Sequence, residues 1–382
     1  MKNTLFSLLR YYLGKEHAFY LTPTVEQWHK VFQMAVQQTL AGVLFAGVER
    51  LPAEQRPPRE LLLKWYALAE RIKQTNRVLN QRAVEAEAFF AKESFHCCIL
   101  KGQGVATYYP TPLLRTAGDI DIWLGGGHRR IHDFARSRVG LQGVTYHHIH
   151  YPLFDDAEVE VHITPGTLKS PFQNGRLQRY FNEVMDGHRF CCASLPEEVG
   201  EITVPDVEFN LVFLLLHMYK HLLGEGIGLR QMMDYYYTLQ QPIDAEGRER
   251  VVQRLKEFKM LRFARATMYV MREVFGMDEA LMLVAPDEDE GRFLLNEIML
   301  SGNFGKYDAR IDRKNHHKLL PRVWNSIRRK WKFLTHYPNE LVWDIPFRMW
   351  QYCWSRWVRG QRTTDNGRQT TDDRQRTTDN GR

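Results

Sequence analysis

The sequence predicts an α+β chain: a small mixed β-sheet with helical regions on either side of it. Three observations predict this. Residues 1–92 carry apolar residues at helical spacing, first Val25, Trp28, Val31 and Phe32, then Leu61, Trp65, Leu68, Ile72, Thr75, Leu79 and Val84. Residues 93–204 hold short alternating runs, Asp119-Ile120-Asp121-Ile122 and Glu158-Val159-Glu160-Val161-His162-Ile163, set between turn signals. From 205 to 361 long apolar periods return, beginning with Leu211 to Leu216. The expected parts are therefore an N-terminal helical region (1–92), a sheet-containing core (93–204), a C-terminal helical domain (205–361) and a tail (362–382).

The 382 residues and 44% apolar content suit two or three domains with substantial cores. No apolar run approaches transmembrane length. The start, MKNTLFSLLRYY, lacks a signal-peptide core and cleavage site. The five Cys, two adjacent pairs plus Cys353, form neither a disulfide framework nor a CxxC zinc pattern. A reducing, cytoplasmic location is the expectation.

In chain order, Thr24 is an N-cap, and Gln27 completes a capping box. Pro52, Pro57 and Pro58 mark a linker. Glu60 to Lys92 reads as one long amphipathic helix packed on the sheet. Ile99-Leu100 is a strand end that stops at the turn Lys101-Gly102-Gln103-Gly104. Val105 to Tyr109 makes a short helix, ended by Pro110 and Pro112. After Leu124, Gly125-Gly126-Gly127 leads into a helix over 128–138. Without a Walker Lys-Ser/Thr this is a strand-to-helix turn rather than a phosphate cradle. Gly143 to Phe154 is the hairpin partner of the second acidic strand. Asp206 to Leu223 reads as a helix with Asp206 or Pro205 at its start, in which His217 and His221 lie one turn apart without an HExxH glutamate. Leu229 to Gln240 carries Arg230 and Asp234 at i and i+4, a spacing that allows an ion pair.

The chemistry-bearing stretch is Asp119 to Asp121. On a strand these residues share a face, with Ile120 and Ile122 opposite. Two close carboxylates stay ionised only with a cation between them or water around them. Mg²⁺ suits such oxygen ligands and shares its remaining sites with phosphate oxygens. Taken alone, the pair also fits an edge strand with a solvated acidic face. Glu160 adds a third carboxylate from another alternating strand, and three such acids suit a two-metal site. Burying them without metal is costly, so the metal-free site is expected to be loose or partly protonated. His147, His148, His150 and His162 form a histidine cluster. His148 and His150 share a face and His147 opposes them, so no preformed zinc site is expected.

The pattern Gly-x, helix, Asp-hydrophobic-Asp, then a later acidic strand resembles the DNA polymerase β-like nucleotidyltransferase superfamily. More closely, LKG…YYP…P…R…GDIDIWL followed by EVH looks like a bacterial family of uncharacterised nucleotidyltransferases. The likeness reaches His221, GIGLRQMMD (226–234) and GNFGKYD (302–308). One departure is that Gly102-Gln103 stands where the superfamily usually has Gly-Gly or Gly-Ser, so phosphate contact falls to backbone N–H groups or Gln103. The resemblance implies a polymerase β-like core in which Asp119, Asp121 and Glu160 hold two Mg²⁺ ions. It implies an NTP as substrate, bound at Lys101, Gly102, Gln103, Gly104 and Arg115. It also implies a substrate cleft lined by His162, His221, Arg230 and Asp234. The implied reaction moves a nucleoside monophosphate from NTP to an unidentified acceptor: a small molecule, a protein or RNA. The alternative is a catalytically silent nucleotide- or RNA-binding module.

Residues 313–362 carry twelve Lys and Arg against Glu340 and Asp344, a formal +10 where the whole chain has +7. Trp350, Trp354 and Trp357 form one helical stripe there. Packing on the protein as core is the expectation; an anionic membrane surface or nucleic acid is the other use of such a surface. Residues 362–382 repeat RTTDNGR, QTTDDRQ, RTTDNGR with no apolar side chain, a composition expected to be disordered.

Overall fold

The computed structural model describes residues 2–140, 144–308, 310 and 330–358. Residues 362–382 and much of 313–362 lie outside these.

Four helices come first: α1 (Lys2–Tyr12), α2 (Val25–Gln37), α3 (Ala41–Glu49) and α4 (Arg59–Lys92). The α2 capping box forms as the spacing predicts. The Thr24 hydroxyl accepts from the Gln27 N–H, and the Gln27 side chain accepts from the Thr24 N–H. On α4 the buried positions are Leu61, Trp65, Ala69, Ile72, Asn76, Leu79, Asn80, Ala83, Ala86 and Phe90. The expected stripe thus drifts: Leu68 and Val84 are only partly covered, Thr75 is exposed, and small or amide residues take the buried line. A helix of 3.6 residues per turn cannot hold a strict seven-residue repeat over this length. Trp65 is fully buried, and its indole N–H donates to the Ala41 carbonyl at 2.7 Å.

The sheet has the order β1-β2-β4-β3, with β1 (Cys97–Leu100), β2 (Ile120–Leu124), β3 (His148–His150) and β4 (Val159–His162). The β1–β2 and β3–β4 pairs are antiparallel and β2–β4 is parallel. Alternation decides the two faces. Ile120, Ile122, Leu124, Ile149, Val159 and Val161 join a core with Leu79, Ala83 and Phe90 of α4 and Ile131 and Ala135 of α6 (Gly127–Arg138). The opposite face carries Asp121 and Trp123. Between the strands lies α5 (Gly102–Ala106), which begins earlier than the expected Val105 and absorbs the predicted turn.

After α7 (Pro171–Asp186), the hairpin β5 (Phe190–Ser194) and β6 (Glu201–Pro205) leads into α8 (Val207–Gly224). The Asp206 carboxylate caps α8 by accepting from the Phe209 N–H. The α8 helix crosses the acidic face of the sheet, where Phe209 stacks on Trp123 at 5.6 Å between ring centroids. The helices α9 (Leu229–Thr238), α10 (Ala245–Glu257), α11 (Leu261–Phe275) and α12 (Glu288–Ser301) follow. They share one apolar core with α1 to α3 and the first half of α4.

A short helix, α13 (Pro338–Val342), precedes a helical stretch at 344–358. The expected buried tryptophan stripe is corrected here. Trp354 packs on the rings of His132 and Tyr146, but Trp350 is 43% and Trp357 63% exposed.

Candidate functional site

The β2–β4 register sets the centre of the site. Asp121 pairs with Glu160 across parallel strands, so both side chains stand on the same face. Asp119 precedes β2 rather than lying within it; the Ile120 N–H donates to the Glu158 carbonyl at 2.9 Å and fixes this approach. The α8 helix roofs the face further along. With a helical stripe that starts at Phe209 and Phe213, it brings His217, Lys220 and His221 over the acids. Between sheet and helix lies a cavity of about 590 Å³. Its lining includes Lys101, Gly102, Arg115, Asp119, Asp121, Glu160, His162, Lys220, His221, Arg230 and Asp234.

Asp121 is 2% exposed and carries its own counter-charges. Lys101 Nζ lies 2.9 Å from Oδ2, and His162 Nε2 donates to Oδ1 at 2.7 Å. Burial works to raise the Asp121 pKa, but Lys101 and His162 outweigh it and hold the carboxyl well below its usual range. The same bond acts on His162 in reverse. Burial opposes its charge, yet Asp121 and Glu160 raise its pKa above the ordinary value. Glu160 Oε2 lies 3.6 Å from His162 Nε2, and despite burial the neighbouring His162 and His148 lower its pKa. Asp119 goes the other way: the Asp121 charge, then burial, raise its pKa. Of the two expected forms of the metal-free site, loose or partly protonated, the raised Asp119 pKa runs toward the second, while Lys101 and His162 hold Asp121 ionised. Asp121 is neutralised internally, and the strain of like charges falls on Asp119.

Of the predicted phosphate-binding residues, Lys101 and Gly102 line the cavity. Lys101 sits at φ 52°, the left-handed region, a backbone state that costs a non-glycine residue about 1–3 kcal/mol. Gln103 and Gly104 do not line it. Gln103 is 2% exposed inside α5, and a Cβ on Gly104 would stand 2.6 Å from Val204 Cγ1, so this glycine serves close packing against β6. Arg115 lines the cavity but is engaged elsewhere. Its Nε and Nη2 donate to the Asp234 carboxylate at 2.7 and 2.8 Å. Tyr109 Oη donates to the same carboxylate at 2.6 Å. The i, i+4 ion pair that the spacing allows between Arg230 and Asp234 does not form: Arg115 takes Asp234, and Arg230 Nη1 donates to the Thr116 carbonyl at 3.1 Å. A bidentate guanidinium from another element competes better than a helix neighbour that must bend along its own surface.

Lys220 was not singled out from sequence. Burial, then the Lys101 charge, push its ammonium down to about 8. Its signal is a single Lys inside the apolar run LVFLLLHMYKHLL. His217 is likewise pushed well down by burial, so it is neutral. A larger depression of about 810 Å³ lies along α10, but its Arg189, Glu208, Arg250, Arg254 and Glu257 side chains pair with acids or bases at its own wall.

Two of the acids and a histidine could together hold a divalent cation. Asp121, Glu160 and His162 place donor atoms within 4.8 Å of one another. Among the described residues no helix is long and apolar enough to cross a membrane. No curated protein matches the chain. The crystal structure of an antigenic nucleotidyltransferase-like protein from Paracoccidioides brasiliensis matches 59% of this chain and 98% of its own, with 11% identity and a TM-score of 0.32. Residues 24–276 run from the α2 capping box through the whole sheet to the end of α11, and they match one sequence family along that length. On that match, the chain belongs to the family described as uncharacterised nucleotidyltransferases.

Proposed function

We propose that the protein transfers a nucleoside monophosphate from an NTP to an acceptor hydroxyl or phosphate, with pyrophosphate leaving. The observation that carries this is the in-register Asp121–Glu160 pair, with Asp119 at the rim, inside a cavity that also presents Lys101 and Lys220. Asp119, Asp121 and Glu160 would hold two Mg²⁺ ions. Bound divalent ions supply Lewis-acid chemistry, which activates the attacking oxygen and stabilises charge on the leaving phosphates.

The chain's own groups do the rest. Glu160 is the carboxylate placed to accept the acceptor's proton. His162 holds Asp121 Oδ1 and so fixes the orientation of Oδ2. Lys101 and Lys220 bind phosphate oxygens. Lys220 suits this because no carboxylate lies within ion-pair distance of it among the described residues. The Tyr109–Arg115–Asp234 network is the wall that keeps α9 fixed against the turn before β2. A sugar phosphate, another small molecule, a protein hydroxyl and an RNA 3′ end are all compatible acceptors.

The test is incubation of the protein with Mg²⁺, each labelled NTP and a cell extract, with Asp121→Asn as control. Labelled acceptor and pyrophosphate are expected from the wild type alone. Nucleotide that binds without pyrophosphate release identifies instead the silent binding module.

A further inference from the structure

We propose a second metal centre on the outer edge of the same sheet, built from His148, His150 and Glu160 and selective for borderline divalent ions of the zinc and cobalt type. It shares Glu160 with the acids described above, but it does not depend on nucleotidyl transfer.

The placement follows from strand register. In β3, His148 and His150 are two apart and stand on one face. Across the antiparallel β3–β4 ladder His150 faces Glu160 and His148 faces His162, and the Glu160 carboxylate reaches toward both β3 imidazoles. The geometry is that of ligands around one point. His148 Nδ1 is 3.8 Å from Glu160 Oε2, and His150 Nδ1 is 3.6 Å from Oε1. Ligands at about 2.1 Å from a tetrahedral ion lie roughly 3.4 Å apart, so small side-chain shifts close the set. Neither distance is a hydrogen bond, and His148 Nδ1 is buried without a partner. A buried, unpaired ring nitrogen facing a carboxylate is a ligand atom whose third party is a cation. Two imidazoles and one carboxylate leave a fourth position for water or a substrate atom. Imidazole nitrogen favours zinc, cobalt and nickel over magnesium, which takes oxygen. The centre is therefore chemically distinct from the oxygen-rich set at Asp119 and Asp121, some of whose acids face the other side of Glu160.

The test is a Co²⁺ titration followed by visible absorption, with Zn²⁺ as competitor and circular dichroism to verify folding. It is run on wild type in excess Mg²⁺, and on His150→Ala, His148→Ala and Asp121→Asn. His150 is 57% exposed at its side chain, so its removal leaves the fold intact. Wild type and Asp121→Asn are expected to show the band of nitrogen-bound Co²⁺, bleached by Zn²⁺. His150→Ala and His148→Ala are expected to weaken binding about tenfold or more. A band that vanishes in Asp121→Asn, one that survives both histidine variants unchanged, or no band in folded wild type overturns the proposal. None of these readouts uses NTP turnover, so the transfer reaction can fail while this centre stands, and the reverse.

Discussion

Asp121→Asn separates two accounts of the acidic face. If Asp119 and Asp121 merely repel, removing one charge leaves stability unchanged or raises it. The structure reverses that expectation for the metal-free protein. Asp121 is nearly inaccessible and bonds to Lys101 Nζ at 2.9 Å and His162 at 2.7 Å. Removing one member of a buried ion pair costs about 3–5 kcal/mol, because the partner is left without compensation. Two features reduce this. Lys101 is 14% exposed at its side chain and keeps some water, and His162 can release its proton or turn to Glu160 at 3.6 Å. A cost of about 2–3 kcal/mol remains. At roughly 2 °C per kcal/mol for a chain of this size, the melting temperature in EDTA should fall by about 4–6 °C. Adding Mg²⁺ should raise the wild-type melt, since a ligand bound only to the folded state stabilises it, and should leave Asp121→Asn where it was. The assay is differential scanning fluorimetry of both proteins in EDTA and in Mg²⁺. An Asp121→Asn melt equal to or above wild type in EDTA refutes the counter-charge account and restores simple repulsion.

Three further outcomes follow from the same geometry. Lys220→Met should lower nucleotide affinity by about tenfold while leaving or raising the melting temperature, since it removes a desolvated charge that has no ion-pair partner among the described residues, measured by nucleotide titration and thermal melts. The His162–Asp121 bond should make stability pH-dependent in EDTA: His162 has its pKa raised above 6.5, so its contribution is complete below about 6.5 and fades as pH rises through the folded value, while Asp121, lowered below 3.8, keeps its share above about 3.8. The stability deficit of His162→Gln should accordingly be largest near pH 5 and shrink above pH ~7; a deficit constant from pH 5 to 8 counts against the bond. Trp354→Ala should cost about 2–3 kcal/mol in denaturant unfolding, because it packs on His132 and Tyr146, whereas Trp357→Ala should stay within about 0.5 kcal/mol.

Sequence carried much of the fold because its signals were local and periodic. The capping box at Thr24, the long α4, the alternation in β2 and β4 and the Asp206 cap all depend on neighbours within a few residues. Alternation also let the sequence place Asp121 and Glu160 on one face of the sheet, which the β2–β4 register reproduces. What it missed depends on contacts between distant elements. Arg115 and Asp234 are 119 residues apart, and nothing local announces that they are partners. The glycine turn at 102–104 is the start of a short helix, and the smallness of Gly104 answers to Val204 of β6, a hundred residues later. The tryptophan stripe was read as core from period alone, but period shows which residues share a face and not whether anything covers that face. Lys220 escaped because a lone charge in an apolar helix reads as noise until the cavity beside it is known.

Lys101 explains how such an acidic site can exist without a bound metal. Its backbone occupies a region that favours glycine, so a strand-end lysine is held there at some expense, and its ammonium is delivered onto Asp121 Oδ2. A divalent ion that takes that oxygen must displace the ammonium, because two cations cannot share it at 2.9 Å in a buried setting. The displaced side chain has one cavity to enter, the one that also holds Lys220, and there a phosphate is the natural partner. On the proposed function, metal and nucleotide binding would then be linked: each would make room or charge for the other, and the coupling would act equally in both directions. Lys101→Met should break this link. Mg²⁺ or Mn²⁺ alone should bind the variant more tightly than wild type, while nucleotide should no longer improve metal affinity. Calorimetric titration of metal with and without a non-hydrolysable NTP measures both. If nucleotide strengthens metal binding by the same factor in wild type and Lys101→Met, the lysine is a structural counter-ion and takes no part in binding phosphate.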